Sequence, residues 1–398
     1  MLNATSTSSV ESDGPAIGTA RAPQEGLGVQ WSRHVKRPLV AAIDGGGTKT
    51  LFLLAEADGT VIGIGRGGPL NALFVPPDEA IRSVRQAAVG ALSEAGMECT
   101  DVLVLYASAP GASRDIVDAG ISGLIRPTRL DTAGDELAVL TGALLDEAGV
   151  VVLAGTGSFA VGRGGRRDRD IQAAGDGSRR RVAARHKIVT RGGWGPLLGD
   201  EGSAYAIGLA ALRAAALAFD NRGEHTSLCE LALEHFSVAR AWSLATMNMD
   251  REQVASFAVR VSEASAAGDA VAAEILAQAG RDLGRLGVSV LRELAGRNEP
   301  GEPGESGEAG PESEPEAECG RRTLAALTGG VSRAAAPLVE AFRDEITSFS
   351  TDVQIVPPRY SPAGGALLVA LGIAGLRKPG TVPAGMRASA ETRSELRA

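Results

Sequence analysis

The chain has 398 residues, of which 44% are hydrophobic, and a formal net charge of −8 at pH 7, which suffices for two domains with cores of their own but offers no general electrostatic case for nucleic-acid binding. Its three cysteines, Cys99, Cys229 and Cys319, lack the spacing of a disulfide framework or of a zinc or iron–sulfur site. No apolar run has the length of a membrane span or the form of a signal peptide, so we expect a soluble, cytoplasmic protein without a nucleic-acid or membrane partner.

The first predicted elements form a three-stranded meander. Residues 1–37 are small and polar, and we expect them to be a disordered leader. Apolar runs at 39–43, 51–55 and 60–65 then predict antiparallel strands joined by short turns. Alternating helices and strands follow, namely a helix over about 78–95, a strand at 102–105, a helix over 115–124, a strand at 128–130 and a helix over 135–147. This is the order of a ribonuclease H-like domain.

The same order begins again after residue 148. The predicted elements are strands at 150–154 and 159–163, helices over 203–216 and, with breaks, 226–298, a strand at 324–327, a helix from Arg333, a strand at 353–356 and a helix from Gly365. Two inserts interrupt this half. Residues 164–189 are rich in arginine, and we expect a solvated hairpin extension there rather than an anion-binding device. Residues 299–320 carry eight glutamates and no lysine or arginine, which predicts a flexible acidic surface loop. Residues 377–398 are expected to be a disordered tail.

Glycine-rich loops join the first two strands of each half. The first is Asp44-Gly45-Gly46-Gly47-Thr48-Lys49-Thr50, and the second is Gly155-Thr156-Gly157-Ser158. Glycines permit positive φ and leave no Cβ above the turn, so backbone N–H groups and threonine hydroxyls can surround phosphate oxygens. Asp44, at the strand end, is placed to hold a Mg²⁺-bound water. A single loop of this kind is more simply a hairpin turn, but two of them suggest a nucleotide clamped between two halves.

Two further motifs complete a family resemblance. Residues 192–203 read Gly-Gly-Trp-Gly-Pro-Leu-Leu-Gly-Asp-Glu-Gly-Ser, and residues 328–331 read Thr-Gly-Gly-Val. With the two loops they resemble the BadF/BadG/BcrA/BcrD-type ATPases and N-acetylglucosamine kinases, a branch of the sugar kinase/Hsp70/actin superfamily. In that family the longer motif belongs to the sugar site and the shorter one to the adenosine site. The resemblance covers most of residues 38–375.

The resemblance implies an α/β fold of two ribonuclease H-like (actin-like ATPase) domains with an interdomain nucleotide and sugar cleft. The N-terminal lobe would span 38–147 and be completed by a C-terminal helix at about 361–376. The C-terminal lobe would span 148–360. ATP and Mg²⁺ are the implied cofactors, with Asp44 as the metal residue. The implied nucleotide-binding residues are Gly46, Gly47, Thr48, Lys49, Thr50, Gly155, Thr156, Gly157, Gly329 and Gly330.

The same resemblance names the sugar-binding residues and the catalytic base. The implied sugar-binding residues are Asn71, Asp135, Ser158, Gly193, Trp194, Gly195 and Asp200. Asp135 stands where the kinases of this family have the carboxylate that takes the proton from the attacking hydroxyl, although an aspartate at a helix start is also a common N-cap. Asp131 is the rival carboxylate. Asp200 has helix capping as its alternative role, and Trp194 has core packing as its alternative.

We therefore expect an ATP-dependent amino-sugar kinase that phosphorylates the C6 hydroxyl of N-acetylglucosamine or glucosamine, with a homodimer as the expected assembly. An activator-type ATPase of the same family would need cysteines that bridge two subunits through an iron–sulfur cluster, and their spacing is lacking here. A non-catalytic sugar and nucleotide sensor is the other alternative. Phe159 departs from the asparagine of the animal N-acetylglucosamine kinases, so the sequence does not decide whether the amino group of the sugar is acetylated or free.

The glycines at 63, 65 and 68 match a dinucleotide fingerprint. No helix follows them directly, so we reject that interpretation.

Overall fold

The computed structural model describes residues 38–72, 75–164, 188–296, 323–333 and 336–397. The predicted leader, the Glu-rich insert and all but the ends of the Arg-rich insert lie outside these residues. Within them, no helix is both long enough and apolar enough to cross a bilayer.

The first half forms a five-stranded mixed sheet. Its strands are β1 (Leu39–Gly45), β2 (Thr50–Glu56), β3 (Val61–Gly67), β4 (Thr100–Ser108) and β5 (Ile125–Ala133). The strand order is β3-β2-β1-β4-β5, with β1 antiparallel to β2 and parallel to β4. Two helices, α1 (Pro77–Glu94) and α2 (Arg114–Ile121), cover one face, where apolar residues from the strands and helices form one core. The predicted meander and the alternation that follows it are confirmed.

The second half repeats this arrangement. Its strands are β6 (Gly149–Ala154), β7 (Ser158–Arg163), β8 (Ile188–Gly192), β9 (Thr323–Thr328) and β10 (Val353–Ile355). They lie in the order β10-β9-β6-β7-β8. In each sheet, both strand pairs on one side of the central strand, β1 or β6, are antiparallel, and both pairs on the other side are parallel. The predicted fold class of two ribonuclease H-like domains is therefore confirmed.

Helices between β8 and β10 cover one face of the second sheet. They are α4 (Ala204–Phe219), α5 (Leu228–His235), α6 (Ala241–Thr246), α7 (Arg251–Ser256), α8 (Ala258–Ala266), α9 (Ala270–Leu294) and α10 (Ala336–Phe349). The longest, α9, is capped by the Asp269 side chain, which accepts the N–H of Ala272. Its apolar face packs on the second sheet and on α10. Burial of this face, rather than helix propensity, supplies most of the stability of such a helix.

Two helices lie between the sheets. α3 (Glu136–Leu144) follows β5 of the first sheet, yet Val139, Leu140 and neighbouring residues pack on the second sheet. α11 (Pro362–Ile373) follows β10 of the second sheet and packs on the first. The chain therefore crosses between the sheets just before α3 and just before α11. The predicted domain boundary at residue 147 assigns α3 to the first lobe and stays a prediction.

The C-terminal residues differ from the expectation of a disordered tail. Residues 377–397 include a helix, α12 (Ala384–Thr392), and a short 3₁₀ turn (Ser394–Leu396). Met386 and Leu396 are fully buried in the core of the first lobe, and Ser389 accepts the N–H of Val61 at 2.9 Å. The polar composition of this segment conceals two apolar anchors, which pack with α11 and with strands more than 300 residues away in sequence.

The glycines of β3 have a packing role. Gly63, Gly65 and Gly67 lie directly under α1, and a Cβ at any of them would overlap a backbone carbonyl of that helix. Close helix-to-sheet packing thus explains Gly63 and Gly65, the first two glycines of the match to a dinucleotide fingerprint.

Strand β8 is not among the predicted strands. Only its Val189 is buried, and the arginine-rich insert before it hides the alternation of polar and apolar residues.

Candidate active site

The first glycine loop joins β1 to β2 at the edge of the sheet where β4 and β5 also end. Gly46 donates its N–H to the Lys49 carbonyl at 3.0 Å, and the Gly46 carbonyl accepts the N–H groups of Leu70 and Asn71 at 3.0 and 3.1 Å. Of the glycines in the loop, Gly45 is sterically required, since a Cβ there would lie 2.6 Å from Leu70. None of Gly45, Gly46 and Gly47 adopts positive φ, so the conformational argument for this triplet is wrong and the close-packing argument applies.

The predicted loop residues differ in exposure. Thr48 is half-buried and Gly47 and Lys49 are exposed, so all three are accessible to a ligand. Thr50 is fully buried in β2, and its hydroxyl donates to the Gly68 carbonyl at 2.7 Å. The Thr50 hydroxyl therefore ties β2 to the end of β3 in this conformation. Asn71 lies beside the loop because its backbone N–H binds Gly46.

Two aspartates lie together at this edge. Asp44 and Ser108 are paired residues of β1 and β4, and Ser108 is paired with Ala133, two residues before Asp135. Burial raises the pKa of Asp44 to about 6, against the opposing effect of Lys49. Burial likewise raises the pKa of Asp135 to about 7, with further increases from the charges of Glu136 and Asp44. Two carboxylates that titrate near neutral pH in one place are typical of a catalytic site.

The structure separates the alternative roles of the candidate bases. Asp135 precedes α3, but its side chain makes no capping hydrogen bond. Asp131 lies four residues upstream on β5 and forms a salt bridge with Arg129 at 2.7 Å. Asp131 is thus already engaged by a guanidinium, whereas Asp135 forms no ion pair in the part of the chain that the structure describes. The geometry therefore favours Asp135 over Asp131, and the capping explanation for Asp135 is wrong.

The second glycine loop occupies the corresponding place in the second sheet, between β6 and β7. Gly155 donates its N–H to the Gly157 carbonyl at 2.8 Å, and Ser158 donates its N–H to Asp200 Oδ1 at 3.2 Å. The Ser158 hydroxyl donates to the Glu201 carbonyl at 2.8 Å. Since the N–H groups of Gly155 and Ser158 already have acceptors, a phosphate bound in this loop would accept hydrogen bonds from the N–H groups of Thr156 and Gly157.

Asp200 is held by two partners. Its carboxylate accepts the Ser158 N–H and forms a salt bridge with Arg251, the first residue of α7. Asp200 is 2% exposed and has φ of +63°, a conformation that is costly for a residue with a side chain and that clusters at functional sites. Burial raises the pKa of Asp200, while the Ser158 N–H and the Arg251 charge act in the opposite direction. Helix capping does not explain Asp200, because Ser203 caps α4.

Arg251 is a site residue that the sequence analysis missed. A Cβ on Gly157 would overlap the Arg251 guanidinium, so the arginine lies directly against the second loop. It is 51 residues from Asp200 in sequence, in a helical stretch without a recognisable motif. Its one local signal is the capping box of Asp250 and Gln253, which marks the start of α7 but not the direction of the arginine.

Four glycines and Asp200 give the segment 192–203 its shape. Gly192, Gly193, Gly195 and Gly202 all adopt positive φ, and Gly193 donates its N–H to the Ser158 carbonyl at 3.0 Å. Trp194 is 74% exposed, so the core-packing alternative for this residue is wrong. Leu197 and Leu198 beside it are also exposed. The segment presents an apolar surface next to the second loop.

The proposed adenosine motif follows β9, the parallel neighbour of β6. Gly329 has φ of +96°, and a Cβ there would overlap the backbone of Ala154, which precedes the second loop. A glycine is therefore required at this position, and Gly329 and Gly330 lie beside Gly155. Phe159, which follows the loop, is buried against α3. Through Phe159, the helix that begins after Asp135 packs directly on the strand that follows the second loop.

A metal ion at this site would rely on few protein ligands. Among the described residues, no three histidine, cysteine or acidic side chains are grouped as a metal site. Mg²⁺ commonly binds through one or two carboxylates, with water and substrate phosphates completing its coordination. Asp44, a half-buried carboxylate beside a phosphate-type loop, fits that mode of binding.

The Tyr106 hydroxyl is buried near the candidate base. It has no hydrogen-bond partner in the described part of the chain. Burial raises the pKa of Tyr106, and the charges of Glu136, Asp131 and Asp135 raise it further.

The chain is similar to known proteins over most of its length. The model of the BadF/BadG/BcrA/BcrD ATPase family matches residues 42–185 and 171–370. An N-acetylmuramic acid/N-acetylglucosamine kinase of Clostridium acetobutylicum is 26% identical, over 83% of this chain and 97% of the relative. A glucosamine kinase of Vibrio cholerae is 25% identical, over 61% of this chain and 76% of the relative. The solved structure of a candidate N-acetylglucosamine kinase from Chromobacterium violaceum superposes with a TM-score of 0.57 at 25% identity, covering 84% of this chain and 99% of that one.

Proposed function

The chain belongs to the BadF/BadG/BcrA/BcrD ATPase family, and from that membership we propose that it is an ATP-dependent amino-sugar kinase that phosphorylates the C6 hydroxyl of N-acetylglucosamine or glucosamine. Two relatives named as amino-sugar kinases support the substrate class. The observation that carries the proposal is the carboxylate of Asp135, which has no capping role, lies beside Asp44 and the first loop, and has a pKa raised to about 7 by burial.

In the proposed reaction, the two glycine loops bind the nucleotide phosphates through backbone N–H groups. The phosphate contacts would come from Gly47, Thr48 and Lys49 in the first loop and from Thr156 and Gly157 in the second. Gly46 and Gly155 would shape the loops, because their N–H groups donate to the Lys49 and Gly157 carbonyls. Thr50 is the weaker member of the predicted set, because its hydroxyl already binds Gly68. Gly329 and Gly330 would receive the nucleoside. Bound through Asp44, Mg²⁺ would neutralise charge on the phosphates.

Asp135 would act as the general base. A carboxylate takes a proton efficiently when its pKa lies near the working pH, and Asp135 meets that condition through burial. It would accept the proton of the sugar hydroxyl as the hydroxyl oxygen bonds to the γ-phosphorus and ADP leaves. Asn71, Ser158 and the segment of Gly193, Trp194, Gly195 and Asp200 would hold the sugar. Asp200 can accept sugar hydroxyls with the carboxylate lone pairs that Ser158 and Arg251 leave open.

A coupled ADP-release assay with Mg-ATP tests the proposal. The panel contains N-acetylglucosamine, glucosamine, N-acetylmannosamine, N-acetylmuramic acid, glucose and no sugar. We expect ADP release to depend on one amino sugar, and NMR of the product to place the phosphate on O6. ADP release without any sugar would support an ATPase of the activator type. Nucleotide binding with no turnover for any sugar would support the sensor and contradict the kinase.

A further inference from the structure

A second concave region lies at the end of α3 opposite Asp135. It is a cavity of about 1000 Å³, a volume within the range of small-molecule sites. Three arginines and one glutamate are the charged residues of its lining, and we call it the arginine pocket. Its lining residues are Leu145, Arg359, Tyr360, Gly380, Thr381, Val382, Arg387, Ala390, Glu391 and Arg397. Most of them come from the C-terminal segment that the sequence analysis expected to be disordered.

Backbone carbonyls, rather than carboxylates, orient two of these arginines. Arg387 donates from Nε and Nη2 to the Val382 carbonyl at 3.2 and 2.9 Å. Arg397 donates from Nε to the Ala390 carbonyl at 2.7 Å and from Nη2 to the Glu391 carbonyl. In the part of the chain that the structure describes, neither guanidinium forms an ion pair with a carboxylate. Carbonyl acceptors fix the direction of a guanidinium but leave its charge uncompensated.

The remaining charges leave the pocket positive. Arg359 pairs with Glu147 at 2.7 Å, and Arg387 and Arg359 both act electrostatically on the hydroxyl of Tyr360, which also lines the pocket. Beside the pocket, Asp146 is shared between two further arginines and accepts the N–H of Gly380. Around the pocket five arginines therefore stand against three acidic side chains, namely Arg163, Arg359, Arg377, Arg387 and Arg397 against Asp146, Glu147 and Glu391.

We propose that the arginine pocket binds a phosphate group, either as inorganic phosphate or as the phosphate monoester of a small organic molecule. Guanidinium groups bind phosphate through paired, charge-assisted hydrogen bonds, and arginine suits such recognition better than lysine. The Tyr360 ring, Leu145 and Val382 offer the apolar surface that an organic ester would contact. The proposal does not depend on the proposed kinase activity.

The position of the pocket relates it to the two lobes. Arg359 and Tyr360 lie where the chain crosses from β10 to α11, and their N–H groups bind the carbonyls of Ala143 and Gly142 in α3. Arg387 and Arg397 belong to the segment anchored in the first lobe, whereas α3 packs on the second sheet. A ligand in the pocket would thus contact elements that pack on both sheets.

Isothermal titration of the full chain with inorganic phosphate tests the proposal, with saturating Mg-ADP present so that the glycine loops are occupied. The test variant is Arg387→Gln/Arg397→Gln. The control is Arg82→Gln/Arg85→Gln, which removes the same charge from the exposed face of α1, where Arg85 is likewise held by a backbone carbonyl, that of Ser122. We expect phosphate affinity to fall by at least about tenfold in the test variant and to be unchanged in the control.

Three further measurements complete the test. Arg387→Lys/Arg397→Lys keeps the charge, and we expect it to recover part of the lost affinity, which unfolding of the segment would not allow. Thermal melting without phosphate checks that each variant is folded. Titration with glycerol 3-phosphate and with inorganic phosphate, each in the wild type and in the test variant, distinguishes an organic ester from inorganic phosphate. Tighter binding of the ester that is lost in the test variant assigns the pocket to the organic ligand. Equal phosphate affinity in the wild type, the test variant and the control would overturn the proposal.

Discussion

Asp135 and Asp44 show how two carboxylates at one edge of a sheet acquire different properties. Both follow or end a parallel strand, and burial raises both pKa values, to about 7 and about 6. Lys49 opposes the shift at Asp44, while Glu136 and Asp44 add to the shift at Asp135. The carboxylate nearer the cation suits metal binding, and the one with the higher pKa suits proton transfer.

The pH dependence of activity follows from these pKa values. Asp135 accepts a proton only when ionised, so we expect kcat/KM for the sugar to fall as pH decreases through about 7 and to fall more steeply below about 6, where Asp44 also becomes protonated. Asp135→Asn should reduce kcat by about 10²-fold or more and leave sugar binding intact. A pH–rate profile and a sugar titration of the variant measure both effects.

The same substitution should affect stability in a pH-dependent way. Because burial raises the folded pKa of Asp135 from 3.8 to about 7, the unfolded chain releases this proton at lower pH than the folded chain does. The free energy of unfolding therefore falls as pH rises from about 4 to about 7, and the full loss is present above that range. At pH 8 Asp135→Asn should increase the free energy of unfolding by about 1–3 kcal/mol, whereas at pH 4 it should have little effect. Asp131→Asn is the control, since Asp131 is paired with Arg129. A stabilisation independent of pH would contradict this assignment.

Arg251 offers a second test at the residue scale. Arg251→Gln would leave the buried Asp200 carboxylate without its cation, and we expect KM for the sugar to rise by about tenfold or more with a smaller change in kcat. Arg251→Lys should recover part of the loss. Arg260→Gln is a matched control, because Arg251 and Arg260 are 25% and 26% exposed and both pair with acidic side chains. Equal effects of the two glutamine variants on KM would show that Arg251 has only a structural role.

At the scale of elements, small residues determine how closely helices approach the sheets. Gly63, Gly65 and Gly67 of β3 admit α1, and Gly365 of α11 admits α3 in the same way. The sequence shows such glycines without showing what they approach. For β3 this ambiguity produced the match to a dinucleotide fingerprint, and only the packing of α1 identifies the role of these glycines.

Gly65→Ala tests this role. A Cβ at Gly65 would overlap the carbonyl of Ala87, so we expect a loss of about 2–4 kcal/mol in the free energy of unfolding. Gly372→Ala is the control, because Gly372 lies at the exposed end of α11 with open space around it. There alanine should be neutral or stabilising by about 0.5–1 kcal/mol. Urea denaturation of both variants gives the comparison, and a neutral Gly65→Ala would contradict the packing argument.

At the scale of the whole molecule, the C-terminal segment completes the first lobe. Met386 and Leu396 enter its core, and Arg377 binds Asp146 near the end of α3. Residues 377–397 thus hold the first lobe and α3 together from the outside. The crossing segments before α3 and α11 are the covalent links that any relative movement of the lobes would have to bend.

Truncation after Lys378 should therefore destabilise the protein rather than leave it unchanged. We expect a decrease of several degrees in the melting temperature, since two fully buried side chains are removed from the core. Met386→Ala alone should cost about 2–4 kcal/mol, whereas Arg393→Ala, at a partly exposed salt bridge with Glu94, should cost less than about 1 kcal/mol. An unchanged melting temperature after truncation would support the disordered tail of the sequence-based expectation.

The sequence by itself determined the local elements and the repeated order of two ribonuclease H-like sheets, because apolar runs and glycine turns report directly on strands and on the loops between them. It also located the two glycine loops and the candidate base, since these are contiguous motifs. It did not reveal β8, whose single buried side chain leaves almost no pattern, or the ordered C-terminal segment, whose stability comes from two apolar anchors.

Only the tertiary structure decided which side chains meet. The pairing of Asp200 with Arg251, the packing of α3 on the second sheet and the grouping of the pocket arginines all join residues far apart in sequence. No local pattern encodes such contacts, because they depend on the directions in which separate elements leave the two sheets. The choice of Asp135 over Asp131 has the same origin: both are acidic residues near the end of β5, and the neighbouring Arg129 and the burial of Asp135 distinguish them.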